Sequence, residues 1–302
     1  VSTASVLTVA APGKTVGLVG LGLVGTALAA RLALAGFVPL GYDLREEARQ
    51  AFAARGHRVA GSLQEIGAAC AQVVLAVFDT AGVLQAVEGP QGLLAGGTPR
   101  CLIDCSTGDP DQLDQLARRL APRGVAFIEA PLSGSSQQIA AGEATLLLGG
   151  SDEAIANARP LLQALAVRAI HVGGAGMGAR AKLATNLVLG LNRAALAEGM
   201  VFAERLGIAP ARFLELVLAT PARSGAAEAK GEMMVREDFA PQSRIRQHLK
   251  DVDLMLADAR AAGQRLPLSE THAALMRAAV AADDGELDNA AIVRQIRRET
   301  HP

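Results

Sequence analysis

The chain has 302 residues, half of them apolar and 20% charged. That length suits two domains, and that composition excludes disorder. A formal net charge of −1, a single Tyr and no Trp exclude a basic, base-stacking nucleic-acid surface.

Residues 1–13 are apolar and the first lysine, Lys14, follows them. A secretory signal has its charge first, so the stretch is read as a disordered leader or cloning remnant. No apolar run reaches spanning length, and no membrane helix is expected. The cysteines, Cys70, Cys101 and Cys105, are odd in number and form no C-x-x-C pair. They are read as core thiols of a cytoplasmic protein. No histidine has metal-ligand spacing, so no metal is expected. His171, ending a predicted strand, is read as structural.

In chain order, residues 15–21 form an apolar strand entering a glycine turn, and residues 24–35 follow with helical spacing, stopped by Gly36. Residues 38–42, 73–78, 101–104 and 125–128 read as buried strands, the last three with turn signals and helical segments after them. Residues 145–148 and 169–172 close the series. This alternation predicts a doubly wound, mostly parallel sheet of the Rossmann kind. Beyond the 173–178 glycine cluster the pattern changes. Residues 179–206 form one long helical segment, and 210–219, 243–262, 267–281 and 289–299 are helical in composition. The boundary is placed near Gly173. A dinucleotide-binding α/β domain is expected over 14–173 and an all-α substrate and dimerisation domain over 174–302.

Gly20-Leu21-Gly22-Leu23-Val24-Gly25 is a G-x-G-x-x-G between a predicted strand and a predicted helix. In that context it marks a dinucleotide site. Gly20 serves the tight turn, Gly22 the approach of a pyrophosphate, Gly25 the helix–strand packing, and bare N–H groups at the helix start face the phosphates. Asp43 ends the second strand, where a carboxylate accepts from ribose hydroxyls and repels a 2′-phosphate. That favours NAD, while Arg45 leaves NADP open.

Three later segments complete the picture: Asp104-Cys105-Ser106-Thr107; Glu129-Ala130-Pro131-Leu132-Ser133-Gly134-Ser135; and Gly174-Ala175-Gly176-Met177 followed by Lys182 and Asn186. With the glycine motif, in this order and spacing, they resemble the β-hydroxyacid dehydrogenase family. That family includes 3-hydroxyisobutyrate dehydrogenases and tartronate semialdehyde reductases and is related to 6-phosphogluconate dehydrogenase. The resemblance covers nearly the whole chain. It implies hydride transfer between a nicotinamide and a small β-hydroxy acid, or the matching semialdehyde, bound in a cleft between the domains.

By the resemblance Lys182 is the catalytic acid and base. The chemistry agrees, because a lysine can take the hydroxyl proton once burial lowers its pKa. Asn186 lies four residues on, sharing its helical face, and can orient the amine or bind substrate. Ser133, Gly134 and Ser135 match the family's substrate turn and are expected to hold a carboxylate. The usual second glycine is replaced by Ser135, with Ser136 after it, which leaves the substrate open. Leu44, Val77, Phe78, Ser106, Thr107 and Lys250 join the glycine turn, Asp43 and Arg45 as cofactor residues, Lys250 through the Lys250-Asp251 signature. Thr185 stands where the family often has a first Asn. Leu189, one turn past Asn186, is not an acid, and a phosphorylated sugar acid is not expected. Two alternatives remain: an imine reductase or reductive aminase on the same scaffold, which Lys182 argues against, and a non-catalytic cofactor-binding module. The apolar 179–206 helix is expected to pack in a homodimer or homotetramer.

Overall fold

The structure, a computed structural model, describes residues 14–299, and the expected leader at 1–13 lies outside them. The chain divides into two compact units, the first ending at Ala179 and the second beginning at Arg180.

In the first unit strands and helices alternate. β1 (Thr15–Val19) leads to α1 (Leu23–Leu34), β2 (Val38–Tyr42) to α2 (Glu46–Ala54), and β3 (Arg58–Val59) to α3 (Leu63–Ala69). β4 (Gln72–Leu75) is followed by α4 (Thr80–Glu88) and the short α5 (Leu93–Gly96), and β5 (Cys101–Asp104) by α6 (Pro110–Leu120). β6 (Ala126–Glu129), β7 (Leu132–Ser133), α7 (Ser136–Ala141), β8 (Thr145–Gly149), α8 (Asp152–Leu165) and β9 (Arg168–Gly173) complete it.

The sheet order is β3-β2-β1-β4-β5-β6-β8-β7, with β9 beside β8. Pairing is parallel from β3 through β6 and antiparallel where β8 meets β6 and β7. This is the doubly wound α/β arrangement, and its order reverses between β1 and β4, where such sheets bind ligands. Both faces are covered. Val74 and Ile103 point into one apolar cluster with Leu28 and Leu32, and Val73, Leu75 and Leu102 into another with Ile66 and Val83. Successive strand residues alternate faces, so a sheet buried on both sides needs continuous apolar runs. Side-chain caps start several helices: Ser62 for α3, Asp79 for α4, Asp109 ahead of Pro110 for α6, and Ser151 for α8.

The second unit is helical. Most of α9 (Met177–Arg205) belongs to it, with α10 (Pro210–Leu218), α11 (Gly225–Arg236), α12 (Ile245–Ala261), α13 (Pro267–Ala281) and α14 (Ile292–Glu299). Met200, Ala197, Val252, Met255, Ala273 and Ile292 share its core.

β3, β7 and α11 are among the elements not foreseen. β3 and β7 are two residues each, below the length at which a period shows. α11 starts on a glycine and carries Gly231, where a Cβ would overlap the Leu214 side chain; close packing against α10 outweighs poor helix propensity. The division after Ala179 falls beyond the expected boundary at Gly173, because the first turn of α9 is bonded to Glu129 of β6.

Candidate active site

The sequence-predicted cofactor residues gather at the C-terminal ends of the parallel strands, except Lys250, which lies on α12 of the second unit. Gly20 follows β1 with a φ of +92°, and its N–H donates to the Tyr42 carbonyl at 2.8 Å. A Cβ there would strike the Ala76 carbonyl, and one at Gly25 would strike the Gly20 carbonyl oxygen. At Gly22 nothing lies within 4 Å of where a Cβ would be. Gly20 and Gly25 are therefore fixed by the fold, whereas the space at Gly22 is open for an incoming group. Gly22 starts α1 without a side-chain cap, so the helix's first N–H groups are available to an anion.

Asp43 follows β2 and is 8% exposed. Its Oδ2 accepts from the Leu21 N–H at 2.8 Å, tying it to the glycine turn, and its Oδ1 from the Arg45 N–H at 2.9 Å. The Arg45 guanidinium closes a fork on both oxygens, Nε at 3.1 Å and Nη2 at 3.1 Å. Burial works to raise this carboxyl's pKa, but Arg45 and the two backbone N–H groups prevail and hold it below the usual range. Arg49 donates to the Asp43 carbonyl at 2.6 Å. The Arg45 side chain and Leu44 are both largely exposed, which leaves a cation and an apolar face beside the carboxylate. Ser106, past β5, accepts from the Val77 N–H past β4 at 3.0 Å, and its own N–H donates to Asp104 Oδ1 at 2.9 Å. Phe78 is exposed on the same edge. An open glycine turn, uncapped helix N–H groups and a buried, charged carboxylate together fit a dinucleotide.

Ser133 ends β7, and Gly134 and Ser135 lead into α7. The Ser135 hydroxyl accepts from the Gln138 N–H at 3.3 Å, and Gln138 Oε1 accepts from the Ser135 N–H at 2.8 Å. This capping box commits the Ser135 hydroxyl to the helix start. His171 is held between the Gly150 and Gly173 carbonyls, with its other ring nitrogen 3.2 Å from Asp152.

In the second unit Lys182 is 7% exposed. Its Nζ donates to Asn186 Oδ1 at 2.8 Å, and Asn186 Nδ2 donates to Asp251 Oδ2 at 3.1 Å. Lys250 Nζ forms an ion pair with Asp251 Oδ1 at 3.0 Å. α9 and α12 thus bring Lys182, Asn186, Lys250 and Asp251 into one cluster. Burial pulls the Lys182 pKa down to about 8; Asp251 opposes this and Lys250 adds to it. A buried amine near neutrality, oriented by an amide whose other end is anchored, can take and return a proton. Thr185 Oγ1 bonds back to the Ala181 carbonyl at 2.8 Å, within the helix.

Two participants escaped residue-by-residue reading. Asp251 was seen only as part of a pair, and its anchoring of Asn186 needs the α9–α12 packing. Glu129 is 1% exposed and accepts from the Gly176 N–H and, at 3.0 Å, the Ala179 N–H, placing an anion at the start of α9. An acid ending an apolar strand was the available signal. Among the described residues, no three His, Cys, Asp or Glu side chains come together as metal ligands.

Two family profiles match the chain. One, described as the NAD binding domain of 6-phosphogluconate dehydrogenase, matches residues 15–174, and the other, described as NAD-binding of NADP-dependent 3-hydroxyisobutyrate dehydrogenase, matches residues 176–296. The chain is 32% identical to L-threonate dehydrogenase of Cupriavidus necator, over 92% of this chain and 95% of the relative. It is 27% identical to 2-hydroxy-3-oxopropionate reductase of Escherichia coli, over 93% and 96% respectively. The crystal structure of 3-hydroxyisobutyrate dehydrogenase from Salmonella typhimurium is similar with a TM-score of 0.84 at 28% identity, covering 93% of this chain and 99% of that one.

Proposed function

The chain belongs to the β-hydroxyacid dehydrogenase family, and from that premise we propose that Lys182 is the acid and base with which it interconverts a small β-hydroxy acid and its semialdehyde. It is an NAD(P)-dependent oxidoreductase of CH–OH groups. The nicotinamide, when bound, accepts or supplies the hydride. In oxidation Lys182 Nζ, neutral, takes the hydroxyl proton; in reduction the ammonium returns it to the new alkoxide. Asn186 holds the amine, and Asp251 holds Asn186. Ser133 and Gly134 of the 133–135 turn bind the substrate carboxylate, while Ser135 holds the start of α7. The G-x-G-x-x-G turn carries the pyrophosphate, and Asp43 with Leu44 takes the adenosine end. Asp43 supports NAD as the preferred partner, and Arg45 with Arg49 gives NADP a foothold.

One observation carries the assignment: Lys182 is a buried amine pulled to about 8 and oriented by Asn186 at 2.8 Å. Replacing Lys182 by Met is expected to lower kcat/KM by roughly 10²- to 10⁴-fold, the worth of a positioned acid–base group. Nicotinamide affinity, read by fluorescence titration, is expected to stay within about twofold of the parent, since uniform cofactor binding is separable from proton transfer. Parent-like turnover in this variant overturns the assignment.

Two coarser features support the setting. Cys70, Cys101 and Cys105 are free and buried, as suits a reducing cytoplasm. No helix among the described residues is long and apolar enough to cross a membrane. Val188 and Phe202 of α9, with Leu206 just past its end, leave apolar surface exposed, which supports a homodimer or homotetramer.

A further inference from the structure

Asp251 of α12 stands between two amines. Its Oδ2 accepts from Asn186 Nδ2 at 3.1 Å, and Asn186 Oδ1 in turn accepts from Lys182 Nζ at 2.8 Å. Its Oδ1 lies 3.0 Å from Lys250 Nζ. Among the described residues no donor is aligned to hydrogen-bond Oδ1, so what Lys250 brings to that oxygen is charge. The carboxylate is buried and the Lys250 side chain is 16% exposed, so the pair is screened far less than one at the surface.

One acid thus meets two opposed demands. It must hold Asn186, which orients Lys182. A carboxylate so near an amine also draws a proton onto it, and an ammonium cannot act as a base. The amide bridge keeps the Lys182 nitrogen within roughly 8 Å of Asp251, where an unbalanced charge moves a pKa by about one unit or more. A second cation on the same carboxylate offsets that pull and leaves the hydrogen bond in place. Burial is the largest influence on Lys182; Asp251 opposes it and Lys250 reinforces it, leaving the amine at about 8.

The other ionisable groups of this region leave the balance to that pair. His248, one turn before Asp251 on α12, packs against Gly190 of α9, and its ring lies 5.4 Å from that of His272 on α13. Burial first, and the charge of Arg193 on α9 second, hold both imidazoles neutral near pH 7. Arg193 lies about three turns beyond Lys182. Asp288, the carboxylate that acts on Arg193, is bonded to Lys230 Nζ at 2.9 Å.

We propose that Lys250 is a positioning residue of the proton-transfer step that acts through Asp251: it neutralises that carboxylate, which then anchors Asn186 without fixing the proton on Lys182. The proposal rests on the dehydrogenase reading above and deepens it. It gives Lys250, expected from the sequence as a cofactor residue, a role that needs no contact outside the second unit.

The test is the pH dependence of hydroxy-acid oxidation at saturating nicotinamide. Oxidation needs the neutral amine, so kcat/KM rises with pH through the pKa of Lys182, near 8 in the parent. Lys250→Met leaves Asp251 unbalanced and is expected to move that limb up by roughly one pH unit. Asp251→Asn can still accept from Asn186 but leaves Lys250 unbalanced, and is expected to move the limb down by a similar amount. The double variant is expected to return close to the parent, because the two charges leave together. Lys250→Arg keeps the charge and is expected to restore the parent limb. A parent-like limb in Lys250→Met, with the loss confined to the KM of the nicotinamide, makes Lys250 a cofactor contact and overturns the proposal. Shifts in the same direction in both single variants also overturn it.

A second readout needs no turnover. The chain has four lysines, Lys14, Lys182, Lys230 and Lys250. Carbon-13 NMR of lysine-labelled protein follows each side chain, and Lys182→Met identifies the Lys182 resonance. Its midpoint is expected to rise by roughly one unit in Lys250→Met and to fall in Asp251→Asn. Unmoved midpoints overturn the proposal. If Lys250→Met does not fold, Lys250→Gln, which also removes the charge, is expected to raise the midpoint in its place. If no hydroxy acid is oxidised, the dehydrogenase reading fails, while opposite shifts of the midpoint still report the charge balance.

Discussion

Asp43 and Lys182 are both buried ionisable groups, and their surroundings treat them in opposite ways. Asp43 has a guanidinium fork and two backbone donors, and stays charged in spite of burial. That charge is the feature on which the proposed preference for NAD rests. Asp43→Ala is expected to lower kcat/KM for NAD more than tenfold and to raise the NADP-to-NAD ratio, measured with both nicotinamides at saturating substrate; equal losses for the two would remove Asp43 from the discrimination. Among the described residues the Lys182 amine donates to an amide oxygen, and burial pulls it to about 8 from the ordinary 10.5. The folded chain then binds fewer protons than the unfolded one between those two values, so this group makes stability rise with pH across that window. The shift corresponds to about 3 kcal/mol. The buried thiols act oppositely at alkaline pH, since burial raises Cys70 to about 11 and Cys101 to about 12. The informative quantity is therefore the difference between the parent and Lys182→Met, in which the thiols cancel. Urea unfolding from pH 7 to pH 10 is expected to show the parent gaining on the variant by an amount of that order. Parallel curves would mean that Lys182 titrates normally.

At the scale of elements, the glycine turn shows what one motif asks of three similar residues. Gly25 is pressed on the Gly20 carbonyl and Gly20 on that of Ala76, while Gly22 faces open space. Gly25→Ala is expected to lose several kcal/mol of stability through backbone displacement, with thermal melting as the readout. Gly22→Ala is expected to melt within a few degrees of the parent, because there is room for its methyl and the residue is extended. Its nicotinamide affinity is expected to fall at least tenfold, because that methyl occupies the space a pyrophosphate would enter. Retained affinity would move the phosphates elsewhere. This turn was legible because strand, glycine spacing and helix are contiguous. β2, β5 and α13 were legible to the residue for a related reason: each is a local run closed by its own turn residues. α11 was not, since its glycines make sense only against Leu214 of α10. The Arg193, His248 and His272 group was equally hidden, because its members come from three helices and none stands in a motif. A charge inside an apolar helix was visible at position 193, but not whether it turned inward.

Over the whole molecule, strand–helix alternation followed by helices alone was enough to foresee a doubly wound sheet and a helical second unit. It could not say how far α9 would run into the first unit, which depends on Glu129, nor which apolar positions of that long helix stay uncovered. Val188 and Phe202 of that helix and Leu206, the residue after its end, lie close to one face; they are 56%, 63% and 63% exposed. Single exposed apolar residues are ordinary, whereas several aligned on one face support the proposal of a surface that another protein covers. A second copy of the chain is the simplest occupant, since a two-fold axis brings each stripe against its own equivalent. Burying a phenylalanine side chain contributes roughly 2–3 kcal/mol. Placing a carboxylate there instead removes that contribution from both subunits and leaves two like charges facing each other. Phe202→Asp is therefore expected to raise the dissociation constant of the assembly by at least about 100-fold. Sedimentation velocity is expected to show the parent as a dimer or larger and the variant as a monomer at the same micromolar concentration, with an unchanged circular dichroism spectrum. A parent that sediments as a monomer, or a Phe202→Asp variant whose assembly stays intact, would move the interface off this helix.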